Sequence, residues 1–398
     1  MKQYALVTVS DSLTNVSMPY NEFALYRQEH YPDCRHFFIS LFDSYISTTV
    51  PYPENLAIFR CGTSLPLLRK TVREIREQCR AEEREILFHV HEGKSVLFFH
   101  LATGFRYRKR TVYTVHSDFT RYVFHNRLFC VLASLLSREV VCVSRTSYAA
   151  YPARLKRLLK DRVTWIENGV DCDRIDRADG GDRAPSGTFR MICVARLIPS
   201  KNQALLLRAL KGNPGCELTL VGTGGEEESL RDLAGRLGVA ERVRFTGGIS
   251  RDEVFRQMKR HDLYVSASEY EGLPVSVLEA MRCGIPCAVS DIRSHREIRE
   301  QCPSLVTVDN TEEGWILAVR GLSRMDRGKL ENIGNANREA ARRFLSLRGM
   351  HLQYDAVYAG VLGVCQEYND TGRPAAPGIT GRSRKKLCAS GAVRNHEQ

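Results

Sequence analysis

Short apolar, β-branched runs recur along this chain, each followed by a segment with helical spacing, and that alternation leaves few folds open. Runs of this length read as buried strands, and strand–helix alternation builds parallel sheets with helices on both faces. In the first half the runs are 4–10, 35–41, 56–61, 86–91, 111–116, 140–144 and 163–167. Between them, 67–84 places Leu67, Leu68, Val72 and Ile75 at the spacing of a basic amphipathic helix. A polar stretch rich in Asp, Gly and Arg, 171–187, interrupts the pattern and reads as an interdomain linker. The alternation then restarts, with strands at 189–195, 217–221, 243–246, 263–266, 287–290 and 305–308. Helices fall at 203–210, 227–237, 251–260, 274–282 and 312–322, and 330–367 is helical without a strand. The fold class expected is α/β, with two Rossmann-like doubly wound domains facing a central cleft.

The 398 residues suit two such domains. No apolar run reaches the roughly 18–20 residues that cross a bilayer, 128–136 being among the longest. The start, Tyr4 to Ser10, is broken by Asp11 and reads as a strand rather than a secretory leader. The 13 cysteines follow no repeating pattern, and Cys283 and Cys287 have the wrong spacing for a zinc knuckle. Reduced thiols in a cytoplasmic protein are expected. The net charge of +12 calls for anionic partners: nucleic acid, lipid headgroups or phosphorylated small molecules. Its local concentrations are Arg106 to Arg110 with Arg121, interleaved with aromatic residues, and a second run from Arg382 to Lys386.

The most informative segment runs from Ser266 to Met281. A strand ends, a polar loop follows, and Pro274 stands where a first helical residue is expected, so the helix N-terminus offers a phosphate site. Glu271 in that loop can reach a sugar hydroxyl; Glu279, eight positions on, can reach a neighbouring diol. Read alone, the two glutamates are more simply a helix cap and a solvated helix residue. Arg196 and Lys201 leave the end of the strand at 189–195 together, and two cations there can neutralise a diphosphate, Arg196 as a fork and Lys201 as a point charge.

This ordered set resembles the donor-binding half of the family-4 retaining glycosyltransferases, which have the GT-B fold. The resemblance rests on Val194-Ala-Arg196 with Lys201, the loop Gly222-Thr-Gly224, Phe245-Thr-Gly247, and Glu271 with Glu279 as a Glu-x7-Glu motif. Gly284-Ile-Pro286 completes it, and it extends more faintly to His116, Ser144 and Asn168-Gly-Val-Asp171. It implies 1–170 as an acceptor-binding domain, 171–187 as linker and 188–345 as a nucleotide-sugar domain. A helix at 346–368 would cross back to the first domain, with a basic disordered tail at 369–398. Arg196 and Lys201 would hold the diphosphate, and Glu279 the ribose. Glu271 would hold the donor sugar, with Gly272, Leu273 and Pro274 giving backbone contacts. Gly247 to Ile249 would hold the base, and His116 would reach across the cleft. The catalytic set implied is Glu271, His116, Arg196 and Lys201, without metal or cofactor. The partners implied are a nucleotide-sugar donor, UDP-linked before GDP-mannose, and a glycan, lipid-linked or small-molecule acceptor.

One departure stands out: residues 12–19 carry no glycine where the family's first phosphate loop usually does. Asp171 and Asp173 match a metal-binding Asp-x-Asp, but they sit at the expected interdomain loop. Two other readings remain: a GT-B nucleotide-sugar epimerase, and a basic protein that binds nucleic acid or a membrane surface. The enzyme is expected in the cytoplasm, with peripheral contact to the anionic inner face of the membrane and no nucleic-acid partner.

Overall fold

The computed structural model describes residues 4–11, 24, 26–27, 34–42, 56–181 and 187–363. The loop at 12–19 and the tail at 369–398 lie outside these residues. Seven strands form the first sheet: β1 (Tyr4–Ser10), β2 (Arg35–Ser40), β3 (Ala57–Arg60), β4 (Glu85–His91), β5 (Thr111–Val115), β6 (Glu139–Cys142) and β7 (Val163–Trp165). Their order is β3-β2-β1-β4-β5-β6-β7, all parallel. Helices α1 (Leu65–Ala81), α2 (Gly93–Thr103), α3 (Phe124–Leu136), α4 (Arg145–Ala150) and α5 (Ala153–Leu159) intervene.

A short helix, α6 (Cys172–Arg177), precedes the second sheet. That sheet holds β8 (Phe189–Val194), β9 (Cys216–Val221), β10 (Val243–Gly247), β11 (Leu263–Ser266), β12 (Cys287–Ser290) and β13 (Val306–Val308), ordered β10-β9-β8-β11-β12-β13. Its helices are α7 (Gln203–Lys211), α8 (Glu227–Leu237), α9 (Arg251–Arg260), α10 (Val275–Cys283), α11 (Arg293–Gln301), α12 (Glu312–Ser323) and α13 (Arg327–Phe344); α14 (Leu347–Leu362) ends the described chain.

In each sheet the chain works outward from one central strand and then returns to its other side, so β1/β4 and β8/β11 are switch points where a crevice opens at the strand ends. The lobes are joined twice, side by side. Val170 N–H donates to Leu345 O at 2.9 Å and Leu347 N–H to Val170 O at 2.8 Å. Beyond that crossing, α14 lies on the first sheet: Tyr358 bonds His89 at 2.7 Å and Tyr354 bonds Thr114 at 3.0 Å. Arg27 pairs with Asp355 at 2.7 Å.

Two sequence expectations shift. The linker is not irregular throughout: Asp171 caps α6 through Arg174 N–H, Ile175 is buried, and Asp176 pairs with Arg282 of α10. Pro274 is the cap residue and Val275 the first helical one, one position later than the sequence suggests.

Candidate functional site

The loops after β8 and β11, neighbours at the switch point of the second sheet, bring the central residues together. Lys201 Nζ forms an ion pair with Glu271 Oε1, both side chains largely shielded. Ser268 Oγ donates to the same oxygen at 2.8 Å, and its own carbonyl accepts from Ser290 Oγ at 2.5 Å. Behind them His295 is fully buried, with Nδ1 against Ser290 O at 2.7 Å, and burial lowers its pKa. Glu269 N–H donates to Ser200 O at 2.9 Å, tying one loop to the other. Arg196 is exposed beside them, its carbonyl accepting from Gln203 Nε2 at 2.9 Å.

Two glycines let backbones meet under this pair. A Cβ at Gly222, where φ is +134°, would fall 2.0 Å from Ala195 O. One at Gly272 would fall 2.2 Å from His116 O, in the opposite lobe. No side chain fits there, so Gly272 marks the point where the lobes touch. Ser144 Oγ donates to Gly272 O at 3.0 Å, and Arg121 lies over the Tyr270 ring at 5.1 Å. Glu297 of α11 accepts from both Arg145 N–H (2.7 Å) and Thr146 N–H (2.8 Å) at the start of α4.

His116 is thereby placed one residue from Glu271 across the cleft. Its Nε2 meets His91 Nδ1 at 2.9 Å, and burial lowers its pKa to about 4, so the ring is neutral near pH 7. Glu92, at the end of β4 with φ +69°, has its carboxyl raised to about 7 by burial and by Asp11.

Glu279 stands apart from the Lys201–Glu271 pair. It is buried on α10, with both oxygens engaged by Arg251, the first residue of α9. Arg251 follows the Gly247–Ile249 segment by two residues, and Gly247 O accepts from Gly222 N–H at 3.0 Å. Leu273 is buried in the core beneath, and Ile249 packs against the same cluster. The expected residues thus divide into two groups, Lys201, Glu271, Gly272 and His116 at the lobe contact, and Glu279 with the Gly247–Ile249 segment, the former held by Arg251 and the latter just before it in the chain.

Arg251 escaped the sequence reading. A cation in the first turn of a helix opposes the helix dipole, and that mismatch was the available signal for a buried carboxylate partner. Among the described residues no three His, Cys, Asp or Glu side chains are grouped to hold a metal, and Asp171 serves as a helix cap.

Residues 176–339 match the family described as Glycosyl transferases group 1, and residues 39–174 match Glycosyltransferase Family 4. The chain belongs to these group 1, family-4 glycosyltransferases. A GDP-mannose-dependent alpha-(1-6)-phosphatidylinositol monomannoside mannosyltransferase of Mycobacterium tuberculosis is 30% identical over 195 residues, covering 44% of this chain and 50% of the relative. Glycogen synthase of the same organism is 30% identical over 185 residues, 45% of this chain and 42% of its own. The chain spans about half the length of the curated relatives it matches. Among solved structures, HepE of Anabaena in complex with UDP and glucose superposes with a TM-score of 0.74 at 19% identity, over 90% of this chain and 100% of that one. Sucrose-phosphate synthase from Thermosynechococcus elongatus gives 0.73 at 15%, over 91% and 100%. The fold is GT-B.

Proposed function

We propose that this chain transfers a hexosyl or N-acetylhexosaminyl group from a nucleoside-diphosphate sugar to an acceptor hydroxyl, with retention and without a metal. The observation that carries the reading is the Lys201–Glu271 pair at the switch point, set against His116 across the Gly272 contact. Arriving diphosphate offers Lys201 a stronger partner than one carboxylate, and Arg196 adds a fork beside it. Glu271, released from Lys201, can accept from hydroxyls of the donor sugar. The two cations and the N-terminus of α10 then stabilise the charge that grows on the leaving diphosphate. The acceptor hydroxyl attacks from the face the diphosphate leaves, and a leaving phosphate oxygen takes its proton. Neutral His116 can hydrogen-bond the sugar without adding charge. Arg251 holds Glu279 oriented, and the carboxylate retains lone pairs for the ribose diol.

Two donors have separate support. The family resemblance alone puts a UDP-sugar ahead of GDP-mannose, whereas the mannosyltransferase relatives are GDP-mannose-dependent. The acceptor is a hydroxyl of a glycan, a lipid-linked saccharide or a small molecule. An epimerase would share the nucleotide site but need no acceptor.

The test is a metal-free thermal-shift panel of UDP, GDP, UDP-glucose, UDP-N-acetylglucosamine and GDP-mannose, on wild type, Lys201→Ala and Glu279→Ala. One nucleotide series should stabilise the wild type, and both substitutions should abolish the shift. With the donor so identified, Lys201→Ala should lower turnover by about 10²–10³-fold. No shift from any nucleotide would overturn the reading.

A further inference from the structure

Helix α3 presents an unusual outer face. Its inner side buries Cys130, Ala133 and Ser134, while Phe124, Leu128 and Leu132, spaced by four, line the side open to solvent. Phe124 is 83% exposed, and Val123 just before it is 55% exposed. The neighbouring helix α2 continues the face. Its backbone at Gly93 lies against Phe129 and Cys130, and its far end exposes Leu101 and then Phe105. Apolar side chains so placed are an interaction surface rather than scattered exposure.

The charge around that face is mainly positive, although Arg110 and Arg138 pair with Glu85 and Glu139. Residues 93–138 contain eight lysines and arginines against a single acid, Asp118, and α3 itself has no acid. Arg108 donates to Leu135 O at 3.2 Å, which draws the basic loop of Arg106, Arg108 and Lys109 onto the end of α3. Arg127 lies within the helix, one position before Leu128. An apolar row flanked by cations is the pattern of a helix lying in a bilayer interface, with its side chains among the acyl chains and its cations at anionic headgroups.

From this we infer that the α2–α3 face of the first lobe docks on an anionic lipid bilayer. Charge complementarity selects the occupant. A second copy would bring two basic faces together, and a nucleic acid would leave Leu128 and Leu132 against phosphates. The face also adjoins the cleft: Arg121, three residues before Phe124, lies over Tyr270 beside Glu271. Docking there would hold the lobe contact at the membrane surface, within reach of a lipid-borne hydroxyl. That consequence rests on the proposed transferase reading; the docking itself does not.

The experiment is co-sedimentation of the full chain with phosphatidylcholine vesicles, with and without phosphatidylglycerol, at low and high salt. The variants are Phe124→Ser/Leu128→Ser and Arg108→Glu/Lys109→Glu. Wild type should sediment with the phosphatidylglycerol vesicles, less so at high salt, and each variant should weaken binding by about tenfold or more. Unchanged melting temperatures would show that the variants are folded, as expected for exposed positions. Four results would overturn the inference: no binding to phosphatidylglycerol vesicles, equal binding by wild type and both variants, tighter binding to an oligonucleotide than to vesicles, or a dimer that the apolar variant converts to monomer. Because no nucleotide is present, these outcomes are independent of the donor-site test.

Discussion

The two lobes share an architecture and differ in what they bury. In the second sheet, strand residues pack against helices as apolar layers, with Met191, Cys193, Leu218, Leu220 and Val265 in one cluster. In the first sheet, one face buries polar residues, Thr8, His36, His89, His91 and Thr114, among apolar ones such as Leu6, Leu87 and Val112, and α14 reaches it through Tyr354 to Thr114 and Tyr358 to His89. Outside, the contrast reverses. Among the described residues, the large hydrophobic side chains exposed on the second lobe are Tyr270, Leu317 and Phe344, while the first lobe exposes many more. One lobe packs its sheet and helices as apolar layers. The other keeps polar groups inside, leading up to His116 at the cleft, and apolar groups outside, where a partner can cover them. The same topology therefore carries two different distributions of polarity over its faces.

The sharpest way to break this contrast is acid. Burial lowers the pKa of His36 to about 3 and of His100 and His116 to about 4, and holds His89 and His91 well below their ordinary 6.5. Above pH 6.5 these rings are neutral in both folded and unfolded chains, and nothing changes. Below it the unfolded chain takes up protons that the folded lobe refuses, so stability falls from pH 6.5 towards pH 4 at about 1.4 kcal/mol per pH unit for each histidine. Glu92, raised to about 7, works the other way and gains stability as pH falls from 7 towards 4.5; Asp11 and Glu139 add to it in the same sense. The histidines outnumber them, so the first lobe should lose several kcal/mol between pH 7 and pH 5. In the second lobe His295 shows the same lowering. Hydrogen exchange, corrected for intrinsic rates, should show β1, β4 and β5 losing protection in acid before β8 and β11. Equal loss in both lobes would erase the distinction.

The second prediction probes the other lobe. Arg251→Ala leaves the Glu279 carboxylate buried without its cation, which costs about 3–5 kcal/mol. Replacing both partners, Arg251→Met with Glu279→Leu, should recover most of that in urea denaturation. If the pair serves the nucleotide, the double variant regains stability but not nucleotide binding. Recovery of both would make the pair a packing feature alone.

How much of this was legible follows from how local the chemistry is. Arg196, Lys201 and Glu271 sit in loops whose position is dictated by the strands before them, so the alternation of runs located them, while Gly272 entered only through the family resemblance. Arg251 was missed because its partner lies 28 residues away, and only folding brings them together. Helix α2 escaped for a different reason: Val96, Leu97, Phe98, Phe99 and Leu101 make it apolar on every side, so no helical period marks it. The short helix α6 hid within a charged stretch, where a single buried residue, Ile175, is too little pattern to read. The polar interior of the first lobe was invisible too, since histidine and threonine inside a strand resemble solvent-facing residues until α14 is known to cover them.

The smallest effect tests that cover directly. His89 Nδ1 meets the Tyr358 hydroxyl at 2.7 Å, and its Nε2 meets Thr114 at 2.7 Å, so α14 supplies a hydrogen-bond partner to one ring nitrogen. Tyr358→Phe keeps the ring and its packing against Tyr4 and Tyr354 but removes one partner of a fully buried imidazole. The expected loss is about 1–3 kcal/mol, read as a shift of the urea midpoint. Hydrogen exchange should place that loss in α14 and β4 and leave β8 to β13 unaffected, because the hydrogen bond joins α14 to the first sheet. A loss near zero would mean that α14 is held by its apolar contacts, Leu347, Met350 and Tyr354 against Leu6, Leu87 and Val112. The polar face would then be tolerated by the first lobe rather than built into its docking.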